Sequence, residues 1–74
     1  MLRFNVEITD TFGGEANYSW VRRFDVMAKS FQGAISKVAR EHGGGWHKQV
    51  ECGDYAQYKM SGACIVAFVT VHFD

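Results

Sequence analysis

Apolar and polar residues alternate at the start of the chain, a pattern typical of a β-strand with one buried and one solvated face. The alternation covers residues 2–10. Residues 18–27 are rich in aromatic and β-branched side chains, which predicts a second strand. Between these segments, residues 11–17 contain two adjacent glycines and few apolar side chains, so we predict a connecting loop. The short connection favours an antiparallel hairpin, in which one face of the second strand carries Tyr18, Trp20, Phe24 and Val26.

The spacing of apolar residues changes to a helical period over residues 30–42, which predicts one α-helix. Ser30 is a suitable N-cap, because its hydroxyl can accept a hydrogen bond from an amide of the first turn. Gly43 is suited to ending the helix. The three consecutive glycines that begin there predict a flexible exit.

The rest of the chain predicts further strands. Residues 46–52 favour a third strand, and residues 55–60 favour either a short fourth strand or an irregular return. Residues 63–73 form the most apolar stretch, and both of its faces are apolar. This composition predicts a central position in the sheet or a covered second face.

These elements predict an α+β fold with the order β-β-α-β-(β)-β: one antiparallel sheet of four to five strands with a single helix packed on one face. The 74 residues are expected to form a single domain, 1–74. The second face stays open, with Val21 and Met27 as candidates for it, and small cores commonly recruit partners. A homodimer through this face or through an edge strand is therefore one hypothesis. The predicted core consists of Phe4, Val6, Ile8, Phe24, Val26, Ile35, Val38 and Phe68.

Composition narrows the classes of function. Eight basic and eight acidic residues give a formal net charge of zero, which argues against a DNA mimic and against a nucleic-acid coat protein. No apolar run approaches the ~20 residues of a membrane-spanning helix, and the N-terminus is unlike a secretory signal. Two cysteines are too few for a disulfide scaffold. We therefore expect a cytoplasmic protein with no membrane partner.

Neither metal binding nor catalysis has a clear signature. Structural zinc sites usually show closely spaced ligand pairs, which are missing here, so we predict no metal and small buried thiols. No nucleophile elbow, catalytic triad or P-loop is recognisable, and so short a chain cannot easily enclose a preorganised pocket. We predict a protein that is not an enzyme and needs no cofactor. By residue type alone, the possible metal ligands are His42, His47, Cys52, Cys64 and His72.

The start of the second strand is the predicted partner-binding surface, because tyrosine, tryptophan and arginine are enriched in binding hot spots. Trp20 and Arg22 either project beyond the helix as a rim with Tyr18, or Trp20 closes the core while Arg22 extends outward. Neighbours in a strand point to opposite faces, so Arg22 shares a face with Trp20 and Arg23 does not. We therefore expect Arg22 to contribute more to partner binding than Arg23. The predicted partner-binding residues are Glu15, Asn17, Tyr18, Trp20, Arg22 and Arg23.

Nucleic-acid binding is the alternative function, because single-strand binders mix cations with aromatic side chains. The basic excess is slight, and the predicted aromatic face is the one that the helix covers. The residues that favour this alternative are Trp20, Arg22, Arg23, Lys37, Arg40, Trp46 and Lys48.

Residues 9–23, TDTFGGEANYSWVRR, resemble a stretch in small uncharacterised proteins encoded by bacteriophages and prophages. The resemblance covers this segment alone and implies no catalytic residue. It implies a phage accessory protein in the host cytoplasm. Small phage accessory proteins often bind and disable a host protein, so the resemblance also implies a host-protein partner such as a defence system, which anti-CRISPR proteins inhibit.

Overall fold

The computed structural model describes residues 1–72. Within them, five strands form one antiparallel sheet with a single helix on one face, which confirms the predicted α+β class. The elements are β1 (Leu2–Phe12), β2 (Glu15–Ala28), α1 (Phe31–His42), β3 (Trp46–Cys52), β4 (Tyr55–Met60) and β5 (Ile65–Val71). The strand order across the sheet is β2-β1-β5-β4-β3.

The connection between β1 and β2 is shorter than the predicted loop over residues 11–17, and that prediction is wrong. Phe12 and Glu15 pair directly, so only Gly13 and Gly14 form the turn. Their φ values are 64° and 84°. Positive φ at both central positions is the geometry of a type I′ hairpin turn, which glycine adopts without steric cost. The polar residues on either side therefore belong to strands.

The helix predicted over residues 30–42 is confirmed, with Ser30 as its N-cap outside the first turn. The Ser30 hydroxyl accepts a hydrogen bond from the Gly33 amide at 3.1 Å. At the other end, the Gly43 amide donates to the Ala39 carbonyl at 3.0 Å. Both ends of α1 are thus closed by the residues that the sequence indicated.

Strand β5 lies in the middle of the sheet, between β1 and β4, which confirms its predicted central position. It begins at Ile65, later than the predicted start at residue 63. The predicted end at residue 73 lies outside the described residues. Residues 55–60 form a full strand, which decides between the two alternatives for that segment.

The core lies between α1 and the sheet, and the prediction that Phe68 belongs to it is wrong. Val6 is opposite Val69 in the β1–β5 ladder, so Val69 faces α1 and Phe68 points to the other face. There the Phe68 ring stacks on Tyr55, with ring centroids 6.2 Å apart. Phe24 and Val26 are partly buried and pack against the core. The buried core residues are Phe4, Val6, Ile8, Ala28, Ala34, Ile35, Val38, Ala56, Tyr58, Ala67 and Val69.

In the described chain, no element covers the face of the sheet opposite α1, and both apolar and charged side chains lie on it. Val21 and Met27 lie on it, as predicted, because they pair with residues of β1 that point away from α1. A groove of about 480 Å³ crosses this open face beside Phe68. Arg23 lines the groove, and its Nε donates to the Glu7 carboxylate at 3.2 Å.

Candidate binding surface

A large β-bulge interrupts the pairing of β1 with β2 near the hairpin turn. The ladder passes from Thr9, opposite Val21, to Thr11, opposite Ala16. Residues 17–20 of β2 therefore stand opposite a single residue of β1. Bulges leave backbone groups without their ladder partners and re-aim the side chains of the bulged strand. Here side chains of β1 bond the backbone of the bulge in place of the ladder.

Thr9 supplies the first replacement. Its hydroxyl accepts a hydrogen bond from the Tyr18 amide at 3.1 Å and donates to the Trp20 carbonyl at 2.9 Å. Thr9 is the fully buried polar residue among residues 1–72. One hydroxyl thus serves as both donor and acceptor for the bulged backbone.

Asp10 supplies the second replacement. Its carboxylate accepts hydrogen bonds from the Ser19 hydroxyl at 2.7 Å, the Ser19 amide at 3.0 Å and the Asn17 side-chain amide at 3.0 Å. The Ser19 hydroxyl and then Asn17 are the main groups that lower the pKa of Asp10 from 3.8 to about 2. Asn17 is therefore engaged within the chain, where it holds the bulge, and its role in partner contact stays a prediction.

The bulge places Tyr18 in an unusual conformation. Tyr18 has a φ of +56°, which is a left-handed conformation that aromatic residues seldom adopt. Such a backbone costs on the order of 1–3 kcal/mol and persists only where its surroundings fix it. The side chain is nonetheless 51% exposed. The Asn17 and Ser19 side chains on either side of Tyr18 both bond Asp10, which points to the same side of β1 as Ile8, so the Tyr18 ring lies toward the open face.

Trp20 and Arg22 lie on the other side of the sheet, at the C-terminal end of α1. The Trp20 ring stacks on the His42 ring, with ring centroids 6.1 Å apart. The His42 ring also packs against the Trp46 ring, with centroids 6.2 Å apart. Arg22 Nη1 lies 2.9 Å from His42 Nδ1, and the Arg22 guanidinium lies over the ring of Phe24. We call Trp20, Arg22, His42 and Trp46 the tryptophan cluster.

The chemistry of the tryptophan cluster holds His42 in its neutral form. A guanidinium can only donate hydrogen bonds, so the Nδ1 atom that faces Arg22 acts as the acceptor and carries no proton. Burial lowers the pKa of His42, and the positive charge of Arg22 lowers it further. Protonation of His42 would thus remove an acceptor and bring two positive charges together.

This arrangement predicts a pH dependence of stability. The pKa of His42 in the folded chain lies below the ordinary value of 6.5, so the unfolded chain takes up the proton first as the pH falls. Neutral His42 contributes its full share to the free energy of unfolding above pH 6.5. That free energy declines as the pH falls below 6.5. We expect His42→Gln to flatten the decline of melting temperature in that range. His47→Gln, at an exposed position on β3, should keep the decline, and identical slopes for wild type and His42→Gln would contradict this account.

The predicted partner-binding residues are therefore divided among different surfaces. Trp20 and Arg22 both contact His42 on one face, and their role in partner binding stays a prediction. Tyr18 does not share that face, because the bulge breaks the alternation. Arg23 lies on the open face beside Glu7, and Glu15 lies exposed next to the hairpin turn, not in a loop as predicted. The predicted rim of Tyr18 with Trp20 is thus not the observed arrangement.

The sequence did not predict two groups of residues that build the candidate surface. The sequence marks His42 as a helix-end residue and a possible metal ligand, and Trp46 as a nucleic-acid candidate, but nothing in it shows that the end of α1 contacts Trp20. Thr9 and Asp10 hold the bulge, and a signal for them existed. Short polar side chains such as threonine and aspartate often bond nearby backbone in place of regular ladders, and both stand just before the double glycine.

The described part of the chain gives three further findings. Within residues 1–72, no group of three or more His, Cys, Asp or Glu side chains could hold a metal ion. No helix there is long and apolar enough to span a bilayer.

The predicted burial of Cys52 and Cys64 is wrong, because both are free and exposed: one ends β3 and the other lies in the turn before β5.

In comparisons with protein-family models, curated proteins and solved structures, the chain matches none. The resemblance of residues 9–23 to phage-encoded proteins stays a prediction.

Proposed function

We propose that this protein binds a partner protein through the tryptophan cluster. The observation that carries the proposal is the position of Trp20, which is 38% exposed and stacked on His42 beside Arg22. Tryptophan and arginine dominate binding hot spots. Side chains that are already held in place lose less conformational entropy when a partner docks, so the contacts around His42 favour binding.

A protein partner fits the cluster better than a nucleic acid does. Single-strand binders stack successive bases on open aromatic faces along a positively charged groove. Here the aromatic rings of Trp20 and Trp46 both meet His42, and the net charge of the chain is zero. Nucleic-acid binding is kept as the alternative because Arg22 places one cation among these rings.

We further propose the class of partner. The resemblance of residues 9–23 supports a phage accessory role, in which the protein occupies a surface of a host protein in the bacterial cytoplasm. The target would be a component of a defence system, as for anti-CRISPR proteins. This role needs no catalytic step and no cofactor.

The experiment captures the partner from bacterial lysate with tagged protein, with and without nuclease, and then measures affinity for the purified partner. We expect nuclease-resistant capture of one protein. Arg22→Ala should weaken binding by at least about 1–2 kcal/mol, the scale of a hot-spot residue. Trp20→Ala should weaken it similarly, because it removes the exposed ring of the cluster.

Arg23→Ala is the matched control, since it removes the same charge from the adjacent residue on the opposite face. Its binding should stay close to wild type. A thermal melt of each variant separates loss of contact from loss of fold. Nuclease-sensitive capture would favour the nucleic-acid alternative, and equal losses for Arg22→Ala and Arg23→Ala would exclude the tryptophan cluster as the site.

A further inference from the structure

We propose that two copies of this chain form a dimer by pairing antiparallel through the free edge of β2, over residues 21–28. This inference goes beyond the proposed function, because it concerns a backbone edge and a second copy of the chain, although Arg22 of the tryptophan cluster lies within the paired segment.

The regular part of β2 is the most suitable edge in the described sheet. β2 and β3 are its two outer strands. The ladder of β3 is irregular between Lys48 and Val50, and β2 is bulged over residues 17–20. Bulges are a common means of blocking edge-to-edge pairing. In contrast, Val21–Ala28 pairs with β1 without interruption, so it presents a long regular edge.

The backbone groups that point outward along this edge can be identified from the ladder. The His72 amide donates to the Arg3 carbonyl at 2.9 Å, so the backbone groups of Arg3 face β5. Met27 is opposite Arg3, and its backbone groups therefore point away from the sheet. Backbone direction alternates along a strand. The residues of β2 with outward N–H and C=O groups are thus Val21, Arg23, Asp25 and Met27.

The sequence of this edge is complementary to itself. With a two-fold axis at Phe24, Arg23 stands opposite Asp25 of the second copy, and Val21 stands opposite Met27 of the second copy. Each pair occurs twice. Opposite charges and apolar side chains are stabilising when they face each other across strands. The same register pairs outward-pointing residues with each other, so each free N–H meets a C=O, as an isologous two-fold interface requires.

The surroundings of the edge permit this pairing. A groove of about 360 Å³ lies between α1 and β2, lined in part by Val26 and Lys37, and it leaves room for side chains of the second copy. Lys37 donates to the Met27 carbonyl. A carbonyl oxygen can accept two hydrogen bonds, so this contact is compatible with pairing. The net charge of zero means that two copies do not repel each other strongly.

The test is sedimentation over a range of protein concentrations for the wild type, Met27→Lys and Val50→Lys. Met27 and Val50 are both 44% exposed on the outer strands, so these are matched changes at opposite edges. We expect the wild type to pass from the 8.4 kDa chain to twice that mass as concentration rises. Met27→Lys should raise the dissociation constant about tenfold or more, because it places a lysine opposite Val21. Val50→Lys should change it by less than about twofold.

Amide hydrogen exchange gives a second measurement on the unmodified chain. The Arg23 and Asp25 amides should exchange more slowly as the wild-type concentration rises, because pairing protects them. A wild type that sediments as one chain up to about 1 mM, where even a weak dimer would form, would overturn the proposal. Equal weakening by Met27→Lys and Val50→Lys would also overturn it. Melting curves confirm that both variants are folded. Neither Met27 nor Val50 belongs to the tryptophan cluster, so the partner affinity of Met27→Lys, measured at concentrations where the chain is monomeric, tests the proposed function separately from the dimer.

Discussion

Replacing Ile35 by alanine is expected to lower the free energy of unfolding by about 2–5 kcal/mol, the range for removing a large aliphatic side chain from a packed core. Ile35 projects from α1 into the core and is 1% exposed. A domain of this size has only about 5–15 kcal/mol of total stability, so the variant should lose a large share of it. Urea unfolding followed by circular dichroism measures the change.

Phe68→Ala is the informative comparison, because the apolar pattern of β5 predicted that Phe68 belongs to the same core. In the structure, Phe68 is half-buried on the open face and stacks on Tyr55. We expect a smaller loss for Phe68→Ala than for Ile35→Ala, although phenylalanine is the larger side chain. A loss equal to or greater than that of Ile35→Ala would show that the register of β5 is different from the one described.

Replacing Thr9 by valine is expected to lower the free energy of unfolding by about 1–3 kcal/mol, because it removes two hydrogen bonds worth about 0.5–1.5 kcal/mol each. Valine has nearly the same shape but cannot bond the Tyr18 amide or the Trp20 carbonyl. The bulge should loosen, and Tyr18 should leave its left-handed conformation. We therefore also expect weaker partner binding, although no residue of the tryptophan cluster has changed.

Thr11→Val provides the control on the same strand, two residues beyond Thr9 and outside its hydrogen bonds to the bulge. It should have little effect on either stability or partner binding. Chemical denaturation and the affinity measurement together check the prediction. If Thr9→Val were as stable as the wild type, the hydroxyl would not be what holds the bulge.

The elements of the fold could be predicted because each has a local cause in the sequence. The period of apolar residues locates β1 and α1, and Ser30 and Gly43 mark the ends of the helix. The position of Phe68 could not be predicted in the same way. β5 is apolar on both faces, so alternation alone does not show whether Ala67 or Phe68 faces α1. That choice depends on the register with β1, which brings together residues far apart in the sequence.

The candidate site was less predictable, because contacts between distant residues create it. Trp20 and Arg22 could be recognised by residue type and by their position on the strand. Their contact with His42 depends on where α1 ends relative to β2. Tyr18 points to the open face, away from Trp20, because of a bulge that Thr9 of the neighbouring strand stabilises. A strict alternation rule predicts one face for Tyr18 and Trp20, and the bulge breaks that rule.

The central place of β5 has a consequence for the order of folding during synthesis. The β1–β2 hairpin and α1 can form from local contacts, but β1 gains its second neighbour only when β5 has been made. At about 5–20 residues per second, the nascent chain therefore carries an unpaired inner edge of β1 for some seconds. During that interval the growing chain is most open to aggregation or to chaperones, and the last strand closes the sheet in one late step.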